Sequence, residues 1–191
     1  YMPENTVAEQ AGEYIASLMA EKDSCGGVIE CIAEGLPAGL GEPVFDKLDA
    51  LLAHAVMSIG SVKGVEIGDG FAAASSRGSV NNDPFYAQNG VIHKQTNHSG
   101  GTLGGMSDGS RLVLRAAVKP TASIARTQQT VNTAGENTEI EVLGRHDPVI
   151  VPRAVDVVEA MTALTLADLL LRNMSAQLDH VKKIYTPVPE V

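Results

Sequence analysis

Asn97-His98-Ser99-Gly100-Gly101-Thr102-Leu103-Gly104-Gly105-Met106-Ser107-Asp108-Gly109 leads, one residue later, into Arg111-Leu112-Val113-Leu114-Arg115-Ala116-Ala117-Val118-Lys119. The first stretch packs five glycines, four of them in Gly-Gly pairs, into thirteen residues. Glycine loses more backbone freedom on ordering than any other residue, so such a run stays ordered only where φ must be positive or a ligand comes close. It reads as a site loop or as a flexible linker, and its right flank favours the site loop. There Leu112, Leu114, Ala116 and Val118 alternate with Arg111, Val113, Arg115, Ala117 and Lys119, the period of a half-buried strand. One face is core. The other displays three cations in a chain of net charge −9, which points to an anion as their target.

With 191 residues the chain forms one or at most two domains and can bury about 70% of its unfolded surface. It starts Tyr1-Met2-Pro3 with no signal-peptide pattern, although a preceding segment is compatible with that start. Its longest apolar run, Leu164 to Leu171, is broken by Asp168 and falls far short of the roughly 20 residues that cross a bilayer. A soluble, cytoplasmic chain is the expectation. The balance of 14 basic to 23 acidic residues argues against nucleic acid as a partner, since phosphate neutralisation needs a basic face. Cys25 and Cys31 show no metal-ligand spacing and read as small buried residues of a reducing compartment; no metal is expected.

Thr6 and Glu9 have the spacing of a capping box, and Val7, Ala11, Ile15, Leu18 and Met19 then predict a helix up to Lys22. Val28 to Glu34 reads as a strand, and Gly35 to Pro43 as a loop. Apolar positions from Val44 to Ile59 predict a second helix whose wide stripe needs a buried partner. Val62 to Phe71 is short and strand-like. Ser75 to Gln95 is polar and irregular, a flap or an excursion. Thr138 to Leu143 alternates as a strand, Gly144-Arg145-His146-Asp147-Pro148 turns, and a central helix follows from about Arg153 to Asn173. The tail, residues 174–191 with Pro187 and Pro189, is expected to be polar and frayed.

Two clusters beside the glycine loop suit chemistry. Lys119-Pro120-Thr121-Ala122-Ser123 offers a cation, backbone N–H groups and hydroxyls to a phosphate, or is an ordinary strand end. In Arg145-His146-Asp147 the guanidinium and carboxylate form a structural ion pair, or the carboxylate takes and relays a proton. His98 lies at the mouth of the glycine loop and is a candidate donor to a ligand. His54 and His93 have no partner visible in the sequence.

Gly41 to Ala50, Met57-Ser58-Ile59 through Val62 to Phe71, Asn97 to Gly101 with Gly104-Gly105, Lys119-Pro120-Thr121, and Gly144 to Pro148 with Pro152 to Val155 together resemble the chorismate synthase family, in the family's order. The likeness runs from about residue 10 to 173 and corresponds to the C-terminal half of a family whose members are roughly twice this length. It implies an α+β fold, a β-α-β sandwich with helices held between antiparallel sheets, incomplete in these residues, and assembly as a homotetramer. It also implies the shikimate-pathway reaction: 1,4-anti elimination of phosphate from 5-enolpyruvylshikimate 3-phosphate to give chorismate. Reduced FMN is the implied cofactor, with NADPH as the reductant in some members. By position, flavin contacts are implied for Gly60, Ser61, Gly104, Lys119, Pro120, Thr121, Ala122, Ser123 and Arg145. Asp147 is the implied proton-handling residue, and His98 is implied to line the same cavity. Gly60-Ser61 replaces an Asn-Ala-like pair, and Val149 replaces a common Cys. The family's two catalytic histidines belong to the other half, so these residues alone are expected to be inactive. The alternative is a truncated, non-catalytic form that only binds flavin or phosphate, or oligomerises.

Overall fold

In the computed structural model, which describes residues 2–185, the elements follow in the order α1 (Asn5–Ala20), β1 (Gly27–Ala33), α2 (Leu48–Met57), β2 (Val62–Ile67), α3 (Gly78–Asn81), β3 (Phe85–Gln88), β4 (Val91–Lys94), β5 (Thr102–Leu103), β6 (Met106–Ser107), β7 (Leu112–Val118), β8 (Gln128–Val131), β9 (Asn137–Ile140), α4 (Val151–Asn173) and α5 (Leu178–Tyr185). A 3₁₀ turn, Gly70–Ser75, follows β2.

The alternating strand is the centre of the molecule. β7 lies between β1 and β2, antiparallel to both, with Arg115 opposite Glu30 on one side and Glu66 on the other. Leu112, Leu114, Ala116 and Val118 are buried with Ile29 of β1 and Val62 of β2, the alternation that period-2 geometry dictates. On α2, Leu48, Leu52 and Val56 recur every four residues, and α4 adds Val158, Thr162, Leu166 and Leu169. One helix layer thus closes one face of the sheet. Away from the sheet, α4 carries a second apolar row, Val157, Leu164 and Leu171, whose seven-residue spacing also marks one helix face; Leu164 is 66% exposed and Leu171 67%.

Several expectations are modified. The second helix begins at Leu48 rather than Val44, because the Glu42 N–H is taken by the Asp46 carbonyl at 2.8 Å in a turn that leaves Val44 and Phe45 exposed. The capping box does not form. α1 starts one residue before Thr6, and its N-cap, Glu4, makes no side-chain bond. Within the polar 75–95 segment, β3 and β4 form a hairpin whose turn residues Asn89 and Gly90 both have positive φ, as a type I′ turn requires. Part of the tail is helical, as α5; Pro187 and Pro189 lie outside the described residues. Both cysteines are free and half-buried, and burial pushes the Cys31 thiol up. Among the described residues no helix is long and apolar enough to cross a membrane, and no group of His, Cys, Asp and Glu has metal-site geometry.

Candidate functional site

At the end of the sheet where β7 finishes and β2 begins, four segments converge. The Lys119 N–H donates to the Ser61 carbonyl at 2.9 Å, which sets Gly60-Ser61 beside the Lys119-to-Ser123 turn. Ser61 takes a positive φ of 73° to do so. The Ser24 hydroxyl donates to the Thr121 carbonyl at 2.7 Å, and the Cys25 N–H to the Pro148 carbonyl at 2.9 Å. Gly26 permits this approach: a Cβ there would lie 2.2 Å from the Val118 carbonyl oxygen and 3.2 Å from Pro120 Cδ. A cleft of about 150 Å³ opens among Met19, Asp23, Ser24, Ser123, His146 and Asp147. Gly60, Ser61, Lys119, Pro120, Thr121, Ala122, Ser123 and Asp147 are therefore gathered at one place.

The charges there are unevenly paired. Asp147 is held by Arg153 of α4, with Nη1 to Oδ2 at 2.6 Å, and not by Arg145. His146 turns its Nε2 onto the Val142 carbonyl at 3.0 Å, and Arg145 is exposed. Lys119 is also exposed, and among the described residues neither it nor Arg145 has an ion-pair partner. The Thr121 hydroxyl oxygen is buried without a hydrogen-bond partner. Asp23 is drawn below the usual carboxylate value by the Ser24 N–H and the Arg126 guanidinium.

His98 and Gly104 lie elsewhere. β7 has seven residues, so its two ends are about 20 Å apart, and both residues belong to the loop that enters it at Leu112. Gly104 is the exposed tip of the β5–β6 hairpin, φ +58°, with open space around its Cα. The His98 imidazole meets a carboxylate that sequence reasoning did not single out: Nδ1 is 2.7 Å from Asp69 Oδ2. Asp83 also escaped notice. Its carboxylate accepts from the His98 N–H at 2.8 Å, the Ser99 N–H at 3.0 Å, the Thr96 hydroxyl at 2.7 Å and the Ser99 hydroxyl. Burial alone would raise Asp83, but these donors hold it well below the usual carboxylate range. Lys94 of β4 sits between Asp83 at 3.0 Å and Asp108 at 2.7 Å, and all three side chains are buried. The hairpin, the glycine loop and the outer face of the sheet line an open cleft of about 1090 Å³ bordered by Asp69, Tyr86, Lys94, Asp108, Arg111 and Arg115. The Asn89-Gly90 pair was the available signal for this region.

The three cations of β7 and its flanks divide accordingly. Arg111 donates to Glu34 at 2.7 Å and Arg115 to Glu66 at 2.9 Å, so neighbouring carboxylates satisfy both. Of the three, Lys119 alone has no ion-pair partner among the described residues.

The profile of the chorismate synthase family matches residues 1–171. Over 185 residues the chain is 60% identical to the chorismate synthase of Agathobacter rectalis, covering 97% of this chain and 50% of that protein. With the chorismate synthase of Archaeoglobus fulgidus the identity is 58% over 171 residues, 89% of this chain and 48% of that one. A crystal structure of chorismate synthase superposes with a TM-score of 0.72 at 35% identity, covering 92% of this chain and 46% of that chain. The chain spans about half the length of the curated relatives it matches. In sequence across nearly its whole length, and in an α+β fold built on the same plan, the chain belongs to the chorismate synthase family.

Proposed function

We propose that this chain supplies the cofactor-holding half of a chorismate synthase, a lyase that eliminates phosphate 1,4-anti from 5-enolpyruvylshikimate 3-phosphate to give chorismate. One coincidence carries the proposal: unpaired Lys119, unpaired Arg145 and the orphaned Thr121 hydroxyl belong to the segments that the family resemblance assigns to flavin. A buried hydroxyl with no partner costs about 1–3 kcal/mol, and a phosphate-bearing ligand on this turn relieves it. The residues present thus fit reduced FMN, which when bound supplies electron density as phosphate leaves and receives the substrate proton, with no net redox change.

Lys119 provides the point charge, and the hydroxyls of Thr121 and Ser123 with the backbone N–H groups of residues 121–123 donate to anionic oxygens. Arg145 extends from the 144–148 turn to hold further flavin or substrate oxygens. Gly60 and Ser61 wall the site, and Pro120 fixes the turn. Asp147 handles the proton: Arg153 holds Oδ2, leaving Oδ1 to accept and return it. Gly104 and His98, which the family resemblance also assigns to the site, stand at the other end of β7, about 20 Å from this cluster. The helix layer and its open α4 stripe support a need for the rest of the parent chain and for homo-oligomeric assembly, so the 191 residues alone bind flavin without turning substrate over.

Anaerobic assay of chorismate formation with reduced FMN, by the 191-residue chain and by the full-length enzyme, tests this. Turnover is expected from the full-length enzyme alone. Lys119→Met and Arg145→Ala are each expected to weaken FMN binding at least tenfold, on the order of 1.4 kcal/mol. Unchanged flavin titrations in both variants would sink the proposal.

A further inference from the structure

We infer that Asp69 is a positioning residue that locks the His98 imidazole in its Nδ1–H tautomer and presents Nε2 as a hydrogen-bond acceptor to a substrate hydroxyl. An ionised carboxylate can only accept, so of two groups 2.7 Å apart the ring nitrogen must be the donor. Neutral imidazole carries one proton. With Nδ1–H turned to Asp69, the lone pair resides on Nε2, for which the described residues provide no partner.

The surroundings hold this arrangement from several sides. The Asp69 N–H donates to the His98 carbonyl at 2.8 Å, so the two residues are tied through backbone as well as side chain. A Cβ on Gly68 would lie 2.1 Å from that carbonyl oxygen, and one on Gly100 would lie 2.3 Å from the Gly68 nitrogen. Both glycines have positive φ, +57° and +63°, so only glycine lets the two chains come this close. Asp83 grips the His98 N–H at 2.8 Å, and Asn81 Nδ2 approaches Asp69 Oδ2 at 3.5 Å. Asp69, Gly68 and Asn97, the neighbours of His98 in space and in sequence, line the open cleft of about 1090 Å³ together with Arg111 and Arg115, while His98 stands behind them at its edge. The His98 side chain is 29% exposed, so Nε2 is open to solvent or to a ligand. One ring nitrogen is committed and the other is kept available, a carboxylate–imidazole pair of the kind that orients a hydrogen-bond acceptor.

Assigning the acceptor to the substrate rests on the proposed function, whereas the tautomer does not. The first test is therefore ¹⁵N-edited NMR of the 191-residue chain at roughly pH 8, above the ordinary imidazole pKa of about 6.5. The His98 signals are identified by their loss in His98→Gln. Protonated Nδ1 and unprotonated Nε2 are expected; a ring protonated at Nε2 in the wild type overturns the inference. Asp69→Ala is expected to move the proton to Nε2, and Asp69→Asn, which keeps an acceptor oxygen, to retain the wild-type tautomer. In the full-length enzyme, Asp69→Ala should lower kcat at least tenfold with KM within about threefold, and Asp69→Asn should restore most of the loss. Unchanged kcat in His98→Gln, or equal losses in the Ala and Asn variants, overturns the role in turnover. A full-length wild type that forms no chorismate removes the proposed function, and the tautomer then decides the positioning claim by itself.

Discussion

Asp147 Oδ2 lies 2.6 Å from Nη1 of Arg153, while Arg145, two residues before Asp147 in sequence, points to solvent. Nearness along the chain suggested the other partner. The pairing distinguishes the two cations: Arg153 orients the carboxylate, and Arg145 has no ion-pair partner among the described residues. In the full-length enzyme, Asp147→Asn should leave FMN affinity within about tenfold and lower turnover by on the order of 10²-fold, the usual range for a proton-transfer group. Arg153→Ala should change stability by about 1 kcal/mol or less, because Arg153 is 74% exposed. Its turnover should fall less than that of Asp147→Asn. Steady-state kinetics with a flavin titration checks both, and wild-type turnover in Asp147→Asn would remove that residue from the mechanism.

The buried Lys94 makes a different prediction. Burial alone would lower its pKa, but the Asp108 and Asp83 carboxylates hold the ammonium above the usual lysine value. Asp108 is likewise shifted down by Lys94 and Ser110, against the upward push of burial. The signs then follow. The depressed carboxylates contribute stability that is present above an unfolded pKa near 3.9 and lost as pH falls through the folded values. The raised lysine contributes stability present below about 10.4 and lost as pH climbs through its folded value. Lys94→Met leaves Asp108 with the Ser110 N–H and Asp83 with its Thr96, His98 and Ser99 donors, and should cost about 1–3 kcal/mol near neutral pH, most of it at Asp108. Urea melts should show that deficit shrinking below about pH 4, as the carboxylates protonate. A deficit independent of pH would mean that packing, not charge, is what Lys94 contributes.

How much of this was legible beforehand differs by region. The alternation from Arg111 to Lys119 placed the central strand and its buried face, because one period-2 run specifies both at once. The spacing of Leu48, Leu52 and Val56 identified the α2 stripe, yet Val44 and Phe45 continue that phase and are not helical. Their place was decided by the turn at Glu42–Asp46, a local bond with no periodic signature. The Lys119-to-Ser123 and Arg145-to-Asp147 clusters stood out as dense polar groups on loops. Lys94, Asp83 and Asp108 did not, since each is a common surface type and only their meeting in space makes them a buried cluster. The separation of His98 from Lys119 follows from the length of β7 and could be measured only once both ends were placed.

Two glycines with nearly equal φ should respond unequally to alanine. Gly68 has φ +57° and a Cβ there would strike the His98 carbonyl at 2.1 Å; Gly104 has φ +58° and open space. Gly68→Ala should therefore lose stability through both conformation and collision, well beyond the roughly 1–2 kcal/mol of a left-handed alanine. Gly104→Ala should lose only that conformational term, leaving a folded protein in which a flavin titration tests whether Gly104, at the other end of β7 from Lys119, approaches the ligand. Thermal melts and a flavin titration on the same samples distinguish them. Equal melting temperatures for the two variants would contradict the packing seen around Gly68.

The outward row of α4 bears on the isolated chain. Val157, Leu164 and Leu171 form one exposed stripe, and apolar faces of this kind are normally covered. The 191-residue chain is expected to sediment above its monomer mass of 20.0 kDa, and the double variant Leu164→Glu, Leu171→Glu to return it to monomer. A monomeric wild-type chain at tens of micromolar would show that the stripe tolerates water.

Thr121 offers the sharpest separation of stability from binding. Its hydroxyl oxygen is buried and unpartnered, so Thr121→Val removes an unsatisfied polar atom while nearly keeping the side-chain shape. Without ligand the variant should be as stable as the wild type or more so, by up to about 1–3 kcal/mol, the cost of leaving a buried hydroxyl unmade. With ligand the sign reverses. If the hydroxyl donates to a cofactor phosphate, Val should weaken FMN binding by about tenfold, because a hydrogen bond to a charged group contributes about 1.5–3 kcal/mol. A melt in the absence of flavin and a titration in its presence read the two signs separately. Loss of stability without loss of affinity would place the hydroxyl in the fold and outside the site.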